Sequence, residues 1–258
     1  FMKKIVLVGD CIATGHNCLV PEIAGDPNCN LDDLEVKRQL KDKIVEWYLK
    51  DNQAQSDVVK EAYMAKYAKE KALAWPAHIP GCINLCRVGD TFQGMQELMK
   101  EHIAENGNPD LLLITDFDAT HRCVVVHHEG KKYVVRRDWN FRNEPQVKWP
   151  DEVYAKFLRK CIEQEELGKE WQKRKHQRSL GTLIKFIRSK GIRSEFLLFH
   201  DYNSHLTEYY NGITGSKVHD LTDIPKRYHD SNGKEVYTLK LQQQKHIAEH
   251  ISNTVIAT

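Results

Sequence analysis

Short apolar runs alternate along this chain with longer segments of helical periodicity. A run of four to six apolar residues bounded by a turn is typical of a strand that is buried on both faces of a parallel sheet. The runs occupy residues 3–8, 82–86, 111–114 and 195–199. Helical patterns lie between them, at residues 92–105 and 151–190, and a closing helix is predicted at residues 246–255. This alternation predicts an α/β fold with a mainly parallel sheet between helical layers.

Two segments do not fit a simple strand–helix alternation. Residues 31–75 carry apolar residues at helical spacing among many charges, which predicts one or two amphipathic helices in an insertion that ends before Pro76. Residues 122–140 contain two β-rich runs that flank Glu129-Gly130-Lys131, which predicts a protruding β-hairpin. We expect both segments to be insertions within one domain that spans residues 2–258, since 41% hydrophobic residues can build one large core.

Cysteine usage and hydropathy favour a reducing, cytoplasmic compartment. The chain has 7 cysteines, an odd number, and no pair has the C-x-x-C spacing of zinc or thiol redox sites. The apolar run at residues 5–8 is too short for a secretory leader, and no apolar stretch approaches the ~20 residues of a membrane span. We therefore expect a cytoplasmic protein with no membrane association.

Three strand-end motifs, taken in order, resemble the first three blocks of the SGNH (GDSL-type) hydrolase family. They are Val8-Gly9-Asp10-Cys11, the segment 84–91 with sequence NLCRVGDT, and the segment 109–114 with sequence PDLLLI. Residues 218–221 resemble the usual late strand of that family, and residues 239–251 resemble its final turn and helix. The resemblance implies a flavodoxin-like three-layer α/β/α fold, and it covers most of the chain outside the two insertions.

The resemblance also implies candidate catalytic roles. Cys11 stands where the family has its nucleophilic serine, and a thiol with an ordinary pKa of ~8.5 is a competent nucleophile that a helix N-terminus could activate further. Gly89 matches the glycine whose backbone N–H helps to bind the oxyanion. The alternatives to these catalytic roles are that Cys11 is a small buried residue and that Gly89 is an ordinary turn glycine.

Two family positions are replaced. Phe117 stands where the family has its asparagine oxyanion donor, and a phenyl ring cannot donate a hydrogen bond. Glu235 and Thr238 align with the late Asp-x-x-His, so the expected histidine base is missing. His205, His246 or His121 could substitute for it, although with 13 histidines in the chain each is more often a solvated or structural residue.

The sequence thus yields two sets of candidate site residues. The candidate catalytic residues are Cys11, Gly89, Asp10, Asp118 and His205. The candidate substrate-binding residues are Asp116, Phe117, His121 and Thr14.

Other chemistries are less favoured by the sequence. Asp10, Asp116, Asp118 and His121 could together hold a divalent metal, but loop aspartates after a strand more often cap helices or meet solvent, so we expect no metal or other cofactor. Residues 9–15 lack the G-x-G-x-x-G spacing of a dinucleotide site.

The charge distribution gives no strong indication of a polyanionic partner. Basic residues gather around Trp171, but the net charge is only +2 and charged helical faces are usually solvated, so nucleic-acid binding is possible and not favoured. The sequence does not indicate an oligomeric state.

Two hypotheses from different classes follow. In the first, the protein is an SGNH-like hydrolase or acyltransferase that uses Cys11 on an ester or acyl group of a carbohydrate or small metabolite. In the second, it is a catalytically degenerate relative that binds a ligand or partner. A weaker third hypothesis is group transfer on a phosphorylated or nucleic-acid-linked substrate, handled by Asp116, Asp118 and the basic surface.

Overall fold

A computed structural model gives the fold of the chain. It describes residues 4–9, 11–15, 18–25, 34–53, 57–87, 91–116, 123–136, 150–166, 168–200, 203–223, 228–229, 235–236 and 241–257. All structural statements below concern these residues.

Five strands of the described chain form a parallel sheet in the order β2-β1-β3-β6-β7. They are β1 (Ile5–Val8), β2 (Cys82–Asn84), β3 (Leu111–Thr115), β6 (Arg193–Leu198) and β7 (His219–Asp220). In register, Val8 of β1 lies beside Ile114 of β3, and Thr115 of β3 lies beside Leu197 of β6. The carboxyl ends of these three central strands therefore meet at one edge of the sheet.

The central strands are buried on both faces, as their continuous apolar sequences predict. Alternate residues point to opposite sides, so Ile5 and Leu7 join one core cluster while Val6 and Val8 join another. The helical layers comprise α1 (Cys11–Thr14), α5 (Phe92–Asn106), α6 (Asp151–Glu166), α7 (Gly168–Ser189), α8 (His205–Thr214) and α9 (Leu241–Ile251). Helices α5, α7 and α8 cover one face and α9 covers the other. The predicted three-layer α/β/α fold is confirmed.

The predicted helical insertion contains two long helices, α3 (Leu34–Leu49) and α4 (Val58–Leu73). With α2 (Val20–Ala24) they form a small core of their own around Val20 and Ile44. A 3₁₀ turn at Trp75–His78 follows α4, and Trp75 is fully buried against the sheet. The insertion is therefore anchored in the main core at its C-terminal end.

The predicted β-hairpin is confirmed. Strands β4 (Cys123–His128) and β5 (Lys131–Arg136) pair antiparallel, with His128 opposite Lys131. Glu129 and Gly130, the two turn residues between them, both have positive φ, as a two-residue type I′ turn requires. A second small antiparallel pair joins β8 (Tyr228–His229) to β9 (Glu235–Val236).

The remaining sequence predictions agree with the structure to within a few residues. Helix α5 begins at Phe92, as predicted, and Thr91 caps it by accepting a hydrogen bond from the Gly94 N–H. The closing helix begins at Leu241, five residues earlier than predicted, and its Gln244 side chain is buried and accepts the Trp75 N–H. A buried glutamine with a backbone partner is not visible in a hydrophobic pattern, which explains the late boundary.

None of the helices in the described part of the chain combines the length and the apolar character that crossing a membrane requires.

Candidate functional site

The strand order creates a switch point between β1 and β3. From β1 the chain passes to β2 on one side, and it later crosses to β3 on the other side, so the connections leave the sheet edge in opposite directions. In open α/β sheets, ligands bind at such a point, outside the carboxyl ends of the strands. Gly9 and Thr115 meet there, because a Cβ atom added to Gly9 would lie 1.9 Å from the Thr115 Oγ1. Only glycine fits between the two strand ends.

Asp116 follows β3 at this edge and is fully buried. Its Oδ1 accepts the Phe199 N–H at 2.8 Å, and its Oδ2 accepts the His200 N–H at 3.0 Å. Oδ2 also bonds the His200 Nδ1 at 2.9 Å and the Asn203 Nδ2 at 2.9 Å. This carboxylate therefore holds together the ends of β3 and β6 and the first turn before α8.

The bond from Asp116 fixes the orientation of the His200 ring. A carboxylate only accepts hydrogen bonds, so the Nδ1 of His200 must carry a proton, and the lone pair of the neutral ring is then on Nε2. His200 is 1% exposed. An imidazole held by a buried aspartate through Nδ1 is oriented like the general base of triad hydrolases.

A pair of histidines, His176 and His205, lies near the bond between Asp116 and His200. The Nδ1 of His176, on α7, lies 3.3 Å from the Nε2 of His205, the first residue of α8. The His176 ring also stacks on Phe92, with 5.1 Å between ring centroids. Burial lowers the pKa of His176 to about 3, and His205 adds to this shift whereas Asp116 opposes it. His176 is therefore neutral at physiological pH.

His205, the predicted substitute base, is held by α7 on two sides. Its ring contacts His176, and its backbone carbonyl accepts a hydrogen bond from the Gln177 Nε2 at 3.0 Å. The structure thus brings His205 to the same end of the sheet as Asp116, but the histidine bonded to Asp116 is His200.

The remaining sequence-predicted residues are only partly described. Cys11 begins the four-residue helix α1 directly beyond β1, and Thr14 is buried at the end of that helix. The side chain of Cys11 lies outside what the structure describes. The predictions for Asp10, Gly89, Phe117, Asp118 and His121 lie outside the described residues altogether. Glu235 lies in the short strand β9, Thr238 is outside the described residues, and His246 is exposed on α9.

The metal hypothesis gains no support in the part of the chain that the structure describes. There, no group of three or more His, Cys, Asp or Glu side chains is arranged to hold a metal ion. Three of the four residues proposed as ligands, Asp10, Asp118 and His121, lie outside that part. Asp116, the fourth, already accepts hydrogen bonds from three residues.

The basic stretch around Trp171 is partly engaged within the protein. The Lys175 Nζ lies 5.1 Å from the centre of the Trp171 ring, and Lys173 forms an ion pair with Glu170 at 3.0 Å. Burial lowers the pKa of Lys175, and Lys160 on the neighbouring helix adds to the effect. These contacts give the stretch a structural role that does not require a nucleic acid.

No protein-family model matches the chain, and no curated protein matches it. The assignment of function therefore depends on the site itself.

Sequence reasoning missed His200, Asn203 and His176. The first two could have been found, because His200 follows a predicted buried strand at the edge that already carried Cys11 and Asp116. His176 could not, because its position in a long basic helix is the usual position of a solvated histidine, and only the packing of α7 on Phe92 buries it.

Proposed function

We propose that the chain is a divergent SGNH-like hydrolase or acyltransferase with Cys11 as its nucleophile. The substrate is an ester or acyl group on a carbohydrate or small metabolite. The three-layer fold and the sheet order support this proposal, since they put the start of α1 at the switch point where α/β enzymes bind ligands. The fold alone decides no chemistry, so the proposal depends on the side chains at this edge.

One observation carries the proposal: the buried hydrogen bond between Asp116 and His200, 2.9 Å long, at the carboxyl end of the neighbouring strands. It supplies the base that the sequence pattern lacks. Gly9, two residues before Cys11, packs directly on Thr115, the residue before Asp116. Because consecutive Cα atoms are about 3.8 Å apart, Cys11 begins within ~8 Å of this contact. Cys11 follows β1 and His200 follows β6, on either side of β3, so the nucleophile and the oriented imidazole start from the same edge of the sheet.

The proposed reaction has two steps. His200 takes the thiol proton of Cys11, the sulfur attacks the acyl carbon, and the C–O bond to the alcohol breaks as His200 returns the proton to the leaving oxygen. Water, or an acceptor hydroxyl in a transferase, then gives its proton to His200 and attacks the thioester. The C–S bond breaks, and His200 returns the proton to the Cys11 sulfur. The backbone N–H groups of Cys11 and Gly89 are the proposed oxyanion donors.

Burial favours a second candidate function, the catalytically degenerate binding protein. Asp116 and His200 are 0% and 1% exposed, whereas a working base needs access to the substrate. In that case the pair stabilises the edge of the sheet, and the switch point binds a ligand without reaction. The reactivity of Cys11 distinguishes the two functions, because only an enzyme needs an activated thiolate.

The first experiment is alkylation by iodoacetamide across a pH series, with each cysteine followed by mass spectrometry. Burial raises the pKa of the Cys18 thiol to about 12, with Glu70 adding to the shift, and burial raises that of Cys82 to about 12. These two thiols are slow internal references, and half-buried Cys161 is a reference of intermediate exposure. Selective labelling of Cys11 well below pH 8 supports the enzyme. Labelling of Cys11 no faster than that of Cys161 at every pH contradicts it.

His200, which bonds Asp116, and His205, which contacts His176, offer matched variants that test which histidine is the base. We expect His200→Gln to slow Cys11 alkylation at pH 7 by about tenfold, and to lower the turnover of p-nitrophenyl acyl esters by ~100-fold or more. His205→Gln removes an imidazole from the same end of the sheet and should change both rates less than about threefold. The opposite ranking would assign the base to His205. Cys11→Ala is the background control for turnover.

We also propose a cytoplasmic location, with a small molecule or carbohydrate as the partner. The free thiols of Cys18 and Cys82 support a reducing compartment. Fractionation of cells that express the untagged chain tests the location.

A further inference from the structure

Asn84 connects the nucleophile turn to the segment that leads to Gly89. It is the last residue of β2 and is partly buried. Its Nδ2 donates to the Ala13 carbonyl in α1 at 2.7 Å, and its Oδ1 accepts the Cys86 N–H at 3.0 Å. One side chain therefore contacts both segments that the proposed reaction uses, and it does so at the edge where the reaction would take place.

Helix α1 needs such support from outside. It has only four residues, and a helix of one turn is not stable alone, because nucleation fixes several dihedral angles for a single hydrogen bond. The last carbonyls of a helix also lack partners within it. The Asn84 amide satisfies one of these carbonyls, that of Ala13, and so holds the turn that begins at Cys11.

The other end of the Asn84 side chain fixes the course of the chain after β2. Backbone bonds from the Leu85 N–H to the Leu7 carbonyl, at 2.9 Å, and from the Arg87 N–H to the Gly9 carbonyl, at 3.4 Å, keep this segment beside β1. The Cys86 N–H turns to the Asn84 side chain instead. These bonds fix the course of residues 85–87, which lead toward Gly89 in the sequence.

We propose that Asn84 is a positioning residue that holds the Cys11 turn at a fixed separation from residues 85–87, the segment that leads to Gly89. This role rests on the proposed function, in which the thiolate attacks the carbon whose oxygen the Gly89 N–H must bind. Both groups must reach one carbonyl, and a displacement of about 1 Å at such a centre costs on the order of 100-fold in rate. Asn84 itself does not contact the reacting atoms.

Asn84→Asp tests this role with the smallest change of shape. The carboxylate still accepts the Cys86 N–H, but it faces the Ala13 carbonyl without a proton to donate, so α1 must move away. Asn84→Ala removes both bonds without adding charge, and it serves as the second variant should the aspartate variant fold poorly. Asn108→Asp is the matched control, because the Asn108 Nδ2 also donates to a backbone carbonyl, that of Lys190, at 2.8 Å. Asn108 lies before β3, at the opposite edge of the sheet.

The readouts are the pH profile of Cys11 alkylation, kcat and KM on an acyl ester, and the thermal midpoint. We expect either Asn84 variant to slow Cys11 alkylation about tenfold at pH 7 and to lower kcat by ~10–100-fold, with KM changed less than about threefold. Asn108→Asp should lower the thermal midpoint to a similar or smaller extent and leave the other readouts within about twofold.

The outcomes separate this inference from the proposed function. If the wild-type thiol is activated and the folded Asn84 variants keep its alkylation profile and kcat, Asn84 is merely structural and the inference is wrong. If the wild-type Cys11 labels no faster than Cys161, the proposed function fails, and the positioning role fails with it.

Discussion

Replacing Asp116 by asparagine should cost the protein a large part of its stability. The carboxylate is fully buried and accepts four hydrogen bonds, two from backbone N–H groups and two from side chains. An asparagine keeps one oxygen. If this oxygen takes the place of Oδ2, its three bonds lose the assistance of the charge, and the new amide group faces the Phe199 N–H, donor against donor.

The magnitude follows from these bonds. A buried donor without a partner costs about 1–3 kcal/mol, and each charge-assisted bond that becomes neutral loses about 1 kcal/mol. The sum is about 4–6 kcal/mol before relaxation, and we expect an observed loss of about 3–5 kcal/mol, the range measured when one partner of a buried pair is removed. A domain has about 5–15 kcal/mol in total, so the variant should fold with much reduced stability.

Urea unfolding at pH 7, followed by far-ultraviolet circular dichroism, measures this loss. Asp110→Asn is the matched control, because Asp110 accepts the Lys4 N–H at 2.7 Å in an exposed position at the opposite edge of the sheet. We expect the control to lose less than about 1 kcal/mol. Equal losses in the two variants, both below about 1 kcal/mol, would refute the view that Asp116 holds β3, β6 and the turn before α8 together.

Three further predictions concern the surroundings of the site. The folded-state pKa of His176 is lowered to about 3 from an ordinary 6.5, so only the unfolded chain binds a proton between these values, and stability is lost as the pH falls through that window. Between pH 7 and pH 4, the free energy of unfolding of the wild-type protein, measured by urea titration, should fall by about 3 kcal/mol more than that of His176→Phe. Equal falls in the two proteins would contradict the lowered pKa of His176. Gly15→Ala should destabilise the protein by about 1–3 kcal/mol more than Gly25→Ala. Both glycines have φ of +67°, so both variants are strained, but only at Gly15 would the new Cβ also lie 2.6 Å from the Glu70 carbonyl oxygen. Glu70→Gln should lower the free energy of unfolding by about 3–5 kcal/mol, because it removes the charge that faces Lys66, which is 2% exposed and 2.8 Å from the carboxylate. A loss below about 1 kcal/mol would show that this ion pair is dispensable.

The layered fold could be predicted because its signals are local. Continuous apolar runs such as residues 111–114 indicate strands buried on both faces, and the helical pattern at residues 92–105 indicates a helix. The hairpin followed from the glycine turn between two β-rich runs. Each of these features depends on residues within a few positions of one another, so one sequence suffices to show them.

The site was harder to predict because its contacts join distant segments. Asp116 bonds His200, 84 residues away, and His176 meets His205, 29 residues away. Only the order of the strands decides which strand ends become neighbours, and composition does not indicate that order. Knowledge of the order would have selected His200, the histidine that follows the strand next to β3, ahead of the other twelve.

The buried rings of His200 and His176 have different partners, and this difference determines what each ring can do. His176 faces an aromatic ring and another imidazole, so burial dominates and keeps it neutral, and a neutral ring stacked on Phe92 contributes chiefly packing. His200 faces a carboxylate, which stabilises the charge that an imidazole gains when it takes a proton. A base must accept a proton in one step and release it in the next, and the direct hydrogen bond to a carboxylate suits His200 to this exchange. The same aspartate ties the base to β3, whose neighbour β1 leads into the Cys11 turn, so a change that loosens Asp116 should affect stability and thiol reactivity together.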